Sequence, residues 1–220
     1  MAAYFISGVD TDCGKTYVTA HLAAHLRCAG VSVITQKPVQ TGCVDVAEDL
    51  VKHREVMGCA LAPEDRDRRT CSYLFTKPAS PHLAAELDGQ TIDPARISAD
   101  TKYLTERYDI VLVEGAGGLM VPLRRDLMTI DYVAQEGLPM ILVVTSHLGG
   151  INHAILSMEA CKTHGVQLHT VIFNRFASDD PVLADDAFSV IGEYAQKIFP
   201  GVQYVDFRSS DSFDGLQLEK

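Results

Sequence analysis

The chain has no Cys-x-x-Cys pair, no apolar run of membrane-spanning length, no repeat or low-complexity tract, and no surplus of basic residues. Each absence excludes something. Cys13, Cys28, Cys43, Cys59, Cys71 and Cys161 are scattered, as free thiols in a reducing cytosol would be, which argues against a zinc or disulfide framework. Without a spanning run no membrane integration is expected. The first residues enter a strand at once and leave no room for a signal peptide, so a cytoplasmic protein is expected. Nineteen basic residues against 29 acidic ones give a net charge of −10. Nucleic acid and anionic membrane are therefore not expected as partners, because the whole-molecule field attracts neither. An anionic small molecule would need a local positive site, for which Lys15 and Lys37 are the candidates.

What the chain does have is Gly8-Val9-Asp10-Thr11-Asp12-Cys13-Gly14-Lys15-Thr16, directly after the apolar Tyr4-Phe5-Ile6. A glycine-punctuated turn from strand to helix ending in Gly-Lys-Thr points backbone N–H groups and a lysine ammonium at phosphate. Its threonine hydroxyl can coordinate the magnesium ion carried by a nucleoside triphosphate. The spacing is a variant, because the standard Gly-x4-Gly-Lys-Thr would require glycine at position 9, which is Val9. A bare turn with Lys15 in solvent is the bland alternative, and the strand before and helix after speak against it. Cys13 reads as a space-filling loop residue rather than a nucleophile.

Apolar strand-like runs alternate with helical segments along all 220 residues. Strands are expected at Ala3–Ser7, Val31–Lys37, Ile110–Glu114, Met140–Thr145, Thr170–Asn174 and, weakly, Val202–Phe207. Helices are expected near Lys15–Cys28, Asp45–Met57, Pro81–Glu86, Pro94–Arg107, Thr129–Glu136, Asn152–Thr163 and Pro181–Lys197. Runs such as Ile110-Val111-Leu112-Val113 are apolar throughout, as in strands covered on both faces. The pattern predicts an α/β fold: a single domain with a doubly wound, mainly parallel sheet. Residues 1–207 form that domain, and 208–220 read as a polar tail, partly disordered.

In such sheets ligands sit beyond the carboxyl ends of the strands. Unusual polar residues gather there: Asp10 and Thr11, Lys37 and Thr41, Glu114, Ser146, and Asn174. Lys37 closes a buried strand, where a lysine needs an anion or must snorkel to water. Glu114 opens Glu114-Gly115-Ala116-Gly117-Gly118, facing the phosphate loop, and could hold magnesium or merely cap nearby N–H groups. Asp49 is a weaker candidate that by itself reads as an acid on a solvated helix face. His21 and His25 lack a third ligand and read as packing histidines. Gly149-Gly150-Ile151-Asn152-His153 opens a helix and offers free N–H groups to an anion.

Together these segments resemble the dethiobiotin synthetase family, over roughly residues 4 to 175. The resemblance rests on Gly8-x-Asp10-Thr11-x2-Gly14-Lys15-Thr16, Lys37-Pro38-Val39, Ser80-Pro81-His82, Val113 to Gly118, Leu138 to Val144, Leu148 to His153, and Asn174. The family's phosphate loop carries the same extra residue. The resemblance implies a P-loop NTPase-like fold and an ATP-dependent, magnesium-dependent carboxylation and ring closure of 7,8-diaminononanoate with carbon dioxide, through a carbamate and a carbamic–phosphoric anhydride. It implies Lys15, Lys37 and Thr11 as catalytic residues, with Thr16, Asp49 and Glu114 as magnesium ligands. Asp12, Cys13, Gly14, Lys15, Thr16, Glu114, Gly117, Gly118 and Asn174 would contact the nucleotide, Asn174 reading the adenine ring. Thr11, Lys37 and Thr41 would contact the carbamate and diamine, and Gly149, Gly150, Ile151 and Asn152 would receive the substrate carboxylate across a homodimer interface.

One departure from the family has a consequence. Val202–Phe207 runs into Arg208-Ser209-Ser210-Asp211 without the usual proline. That implies ATP use with weakened base discrimination. Three rival readings are a ParA/MinD-like ATPase switch, the amidating domain of cobyrinate synthesis, and a plain nucleotide-binding protein without catalysis. The first expects a lysine where this chain has Asp10, and the second expects a further glutamine-hydrolysing domain. On this reading Lys37→Ala folds normally and loses nearly all turnover.

Overall fold

Along the first strand, Tyr4 and Ile6 face one apolar cluster and Phe5 faces another. Two-faced burial of this kind fixes a central sheet with helices on both sides. The computed structural model describes residues 2–175, 180–208 and 213–219. In chain order it runs β1 (Ala2–Gly8), α1 (Lys15–Cys28), β2 (Val33–Gln36), β3 (Val39–Thr41), α2 (Glu48–Val56), α3 (Pro63–Arg66), β4 (Tyr73–Phe75), α4 (Pro81–Leu87), α5 (Pro94–Thr105) and β5 (Ile110–Gly118). It continues with β6 (Pro122–Arg124), β7 (Leu127–Met128), α6 (Thr129–Glu136), β8 (Met140–Thr145), α7 (Gly150–Thr163), β9 (Leu168–Asn174), α8 (Pro181–Ile198) and β10 (Gln203–Phe207).

Six strands form one parallel sheet in the order β10-β9-β8-β1-β5-β2. On one face, Val18, Leu22 and Leu26 of α1 cover Tyr4, Ile6, Leu112 and Val143. On the other, Ile97 and Leu104 of α5, Ile130 of α6, Met158 of α7 and Ile191 of α8 cover Phe5, Val111, Val113 and Leu142. The doubly wound α/β fold expected from the alternation is therefore present. Two small sheets lie outside it, a parallel β3–β4 pair and an antiparallel β6–β7 pair.

Register decides what the sheet presents at its carboxyl edge. In β5, Glu114 lies opposite Ile6 of β1, and Val113 lies opposite Gln36 of β2. The residue after β2, Lys37, is thereby carried to the side of Glu114. Gly118 lies opposite Gly8, which ends β1 and opens the phosphate loop.

Within the polar tail expected at 208–220, residues 213–219 lie against the domain. Phe213 is 1% exposed and stacks on Phe207 with ring centroids 4.9 Å apart. Leu216 and Leu218 pack against the α1-side cluster, and the Glu219 N–H donates to the Tyr4 hydroxyl at 2.8 Å. Three apolar residues spaced among polar ones suffice to lay the segment back on the domain. His21 packs against Tyr17 and Phe207 rings, in keeping with a packing histidine.

Candidate active site

The loop from β1 to α1 is clamped at both of its glycines. Gly14 has φ 86°, and a Cβ there would run into the side-chain amide of Asn174 at the end of β9. A Cβ on Gly8 would collide with Cys13 Sγ and the stem of Lys15. Glycine at 8 rather than 9 therefore follows from how the longer loop folds back over the strand end. Asn174 Nδ2 donates to the Cys13 carbonyl at 2.9 Å, tying the loop to β9, and Cys13 itself is a buried filler. No side chain caps α1 and no acid sits in its first turn. Its N–H groups and positive dipole end are left to an anion. Lys15 is 4% exposed and donates to the carbonyls of Asp10 (2.7 Å) and Thr11 (3.3 Å). Burial lowers its pKa from the ordinary lysine value, and the charge of Lys37 adds to that effect.

Glu114 is fully buried, and three side chains bond it. Its Oε1 accepts from Lys37 Nζ at 2.8 Å and from Thr16 Oγ1 at 2.9 Å, while Oε2 lies 2.9 Å from His53 Nε2. Lys37 Nζ also reaches Asp49 Oδ2 at 2.7 Å and the Gly115 carbonyl at 3.0 Å. Burial alone would raise the Glu114 pKa, yet Lys37 and then His53 outweigh it and hold the carboxyl well below its usual range. For Lys37, burial would lower the pKa, but Glu114 and Asp49 overcome it and the ammonium is held above the usual value.

The structure therefore brings Thr16, Lys37, Asp49 and Glu114 together, and sets Lys15, Cys13, Gly14 and Asn174 around the adjoining loop. Thr11 and Asp12 lie exposed on the lip of that loop, with Gly117 and Gly118 at the end of β5 beside its base. Thr41 closes β3, and Gly149 to Asn152 begin α7 after β8; Lys37, Thr16 and His53, which bond Glu114, come from other elements. Two expectations change. Asp49 is only 23% exposed and paired, not an acid on a solvated face. Lys37 fills a buried ion pair, so Lys37→Ala removes the counter-charge of two carboxylates and cannot leave stability untouched. Residues 209–211, on which the base-discrimination expectation rests, lie outside the described residues.

Sequence reading missed His53 and its neighbours. His53 Nδ1 lies 2.9 Å from Thr35 Oγ1, which accepts from Arg54 Nη1 at 2.7 Å, and Arg54 pairs with both oxygens of Asp65. The one local signal is the four-residue spacing of Asp49 and His53, which puts both on the same face of α2.

Chemically, the loop N–H groups and two ammonium groups at one sheet edge can hold a polyphosphate and offset charge that moves between its oxygens. Thr16, Asp49 and Glu114 supply hard oxygen donors of the kind magnesium takes. Among the described residues no three His, Cys, Asp or Glu side chains form a cage. Magnesium that arrives on phosphates needs only one or two carboxylates, so the donor set fits.

A family model described as an AAA domain matches residues 2–199. An ATP-dependent dethiobiotin synthetase of Haemophilus ducreyi is 42% identical over 201 residues, 91% of this chain and 95% of that protein. One of Chlorobaculum tepidum is 47% identical over 215 residues, 97% and 88% of the two chains. Among solved structures, the hydrogenase maturation factor HypB of Archaeoglobus fulgidus superposes with a TM-score of 0.56 at 15% identity, over 94% of this chain and 81% of that one. A ParA family ATPase of Chlorobium tepidum gives 0.54 at 16% identity, over 96% and 87%. At such identities the last two speak for the P-loop NTPase-like fold alone.

Proposed function

The chain belongs to the ATP-dependent dethiobiotin synthetases, and from that membership we propose that it carboxylates 7,8-diaminononanoate and closes the cyclic urea of dethiobiotin at the expense of ATP. The observation that carries this reading is the meeting of Lys37, Thr16 and Asp49 around Glu114, one strand away from the phosphate loop that holds Lys15. An amine that has taken up carbon dioxide is a carbamate, a poor electrophile until one oxygen is phosphorylated. Lys15 and Lys37 offset the charge that passes from the γ-phosphoryl oxygens to the leaving diphosphate and the carbamate, as phosphoryl transfer demands. The second amine then attacks the carbamoyl carbon, forming the second C–N bond as the bond to phosphate breaks. Magnesium, held by Thr16, Asp49 and Glu114, would supply further charge neutralisation on the phosphates. Thr11 and Thr41 contact the carbamate and diamine, and Asn174 contacts the adenine ring.

In the same reading residues 1–207 act as one catalytic unit in a cytoplasmic homodimer, with Gly149 to Asn152 receiving the substrate carboxylate of the partner. Apolar exposure supports the dimer: Met120 (53% exposed) and Leu156 (60%) flank a groove of about 300 Å³ that Val9 and Ala160 also line. Leu148, beside the start of α7, is 97% exposed. Six free cysteines suit a reducing compartment, and no helix among the described residues is long and apolar enough to cross a membrane.

The test is a coupled assay with the diamine, bicarbonate and each triphosphate. Phosphate release that requires both diamine and bicarbonate is the expected result, with GTP and CTP accepted more readily than by a strictly adenine-specific enzyme. ATP turnover independent of the diamine and stimulated by DNA or lipid would overturn the reading in favour of a ParA-like switch.

A further inference from the structure

We propose that His53 is the positioning residue of the site, fixing which oxygen of Glu114 faces the nucleotide end and keeping the other away from Lys37. The inference rests on the reading of Glu114 as the carboxylate that serves the nucleotide and its metal. The terminal torsion of a glutamate is broad, so a carboxylate beside a lysine ammonium can turn both oxygens onto it. Here that does not happen. Oε1 takes Lys37 and Thr16, while Oε2 is occupied by His53 Nε2 at 2.9 Å, with both side chains completely buried.

The ring that does this is itself oriented. Thr35 Oγ1 accepts from Arg54 Nη1 at 2.7 Å and lies 2.9 Å from His53 Nδ1, which fixes the plane of the ring. The Glu114 carboxylate can only accept, so the hydrogen-bond pattern places an imidazole proton on Nε2, where it is donated to Glu114. Asp65 grips Arg54 through two bonds of 2.9 and 2.8 Å and accepts from Thr70 Oγ1 at 2.7 Å. The Thr70 carbonyl in turn accepts the backbone N–H of Lys37 at 2.7 Å. The chain of bonds starts at the Lys37 ammonium, passes through Glu114, His53, Thr35, Arg54, Asp65 and Thr70, and returns to the Lys37 backbone. A closed circuit of buried polar groups holds geometry better than its separate pairs. The same helix face delivers Asp49 to Lys37, so α2 grips both members of the central ion pair.

The measurement is ADP affinity by calorimetry, with magnesium and with EDTA, on the full chain and on His53→Leu, His53→Gln and Thr35→Val. Gln keeps an N–H that can reach Oε2, and Leu does not. His53→Leu is expected to lose about 10–100-fold of the magnesium-dependent gain in affinity, the usual cost of removing a residue that orients a metal-binding side chain. ADP affinity in EDTA should hardly move. In steady state kcat should fall while KM for the diamine stays. His53→Gln should restore most of the magnesium gain, and Thr35→Val should lose part of it with the ring still present. Should His53→Leu fail to fold, Thr35→Val decides, and a full magnesium gain in that variant overturns the proposal. A glutamine variant as defective as the leucine one overturns it too. A parent chain whose ADP affinity ignores magnesium overturns the metal reading together with this inference, whereas a metal-dependent parent matched by all variants overturns the inference alone.

Discussion

Lys15 and Lys37 are each 4% exposed, and each points at the same sheet edge, but they are held by opposite means. Lys15 rests on two backbone carbonyls of its own loop, has no carboxylate in hydrogen-bonding reach among the described residues, and is pushed down in pKa by burial. Lys37 sits between Asp49 and Glu114 and is pushed up. The contrast separates two tasks within one site. A lysine on carbonyls of an exposed loop can leave them for phosphate, because water replaces it there. A lysine between two carboxylates is part of the fold and can act only where it stands.

The largest effect is therefore expected from Lys37→Ala. Turnover should fall by about 1,000-fold, the upper end for one charge-stabilising donor. Removing one member of a buried ion pair should also cost about 3 kcal/mol of unfolding free energy. Urea unfolding beside the coupled assay measures both, and a variant as stable as the parent breaks the comparison. Lys15→Ala should lose about 100-fold or more in turnover while unfolding within about 1 kcal/mol of the parent. Lys15 also sets the alkaline limit. In the free chain its ammonium is lost as pH rises through a value below the ordinary 10.5, so kcat/KM for ATP should begin to fall before an unperturbed lysine would titrate. An alkaline limb at or above that value would show that Lys15 is better paired than the loop geometry indicates.

A third expectation concerns stability against pH. Glu114 has its folded pKa well below the 4.5 of an unperturbed glutamate. Between these values the unfolded chain binds a proton that the folded chain refuses, so stability is lost as pH falls through that window. Above 4.5 the contribution is complete. The stability gap between the parent and Glu114→Gln should then shrink steadily as pH is lowered below 4.5, read from urea midpoints. A constant gap would mean that Lys37 and His53 do not hold this carboxylate in the folded state.

How much of this was legible in the sequence differs between the two lysines as well. The phosphate loop was readable because its parts are local: a strand, glycines, and Lys15-Thr16 opening a helix. For similar reasons α1, α6 and β8 begin and end where their patterns predict, since each is a long segment with one dominant period. The three-residue strands β3 and β4 were not seen, as runs so short carry no period. His53 was invisible for another reason. Its partner Glu114 is 61 residues away, and α2 is too polar for a charged residue to stand out on it, so Asp49 read as solvated. Only the register of β2 against β5 turns that polar face inward. The packing of residues 213–219 was not legible because their few apolar residues find their partners on α1 and β10.

The smallest effect is expected at the base end, where Asn174 makes the contrast finer. Its amide donates to the Cys13 carbonyl, so it braces the loop that carries Lys15 as well as facing the proposed adenine subsite. Asn174→Ala should cost about 1 kcal/mol of stability, one net hydrogen bond. It should raise KM for ATP by less than about tenfold, about the worth of one neutral contact at 1.4 kcal/mol per decade. The KM values for GTP and CTP should rise less, because only the bracing role is lost to them. The ratio of kcat/KM between ATP and GTP isolates the two roles. If Asn174 reads the base, that ratio falls; if it only braces the loop, all three triphosphates weaken together. In that case the weakened discrimination proposed for this chain would have to arise elsewhere in the pocket.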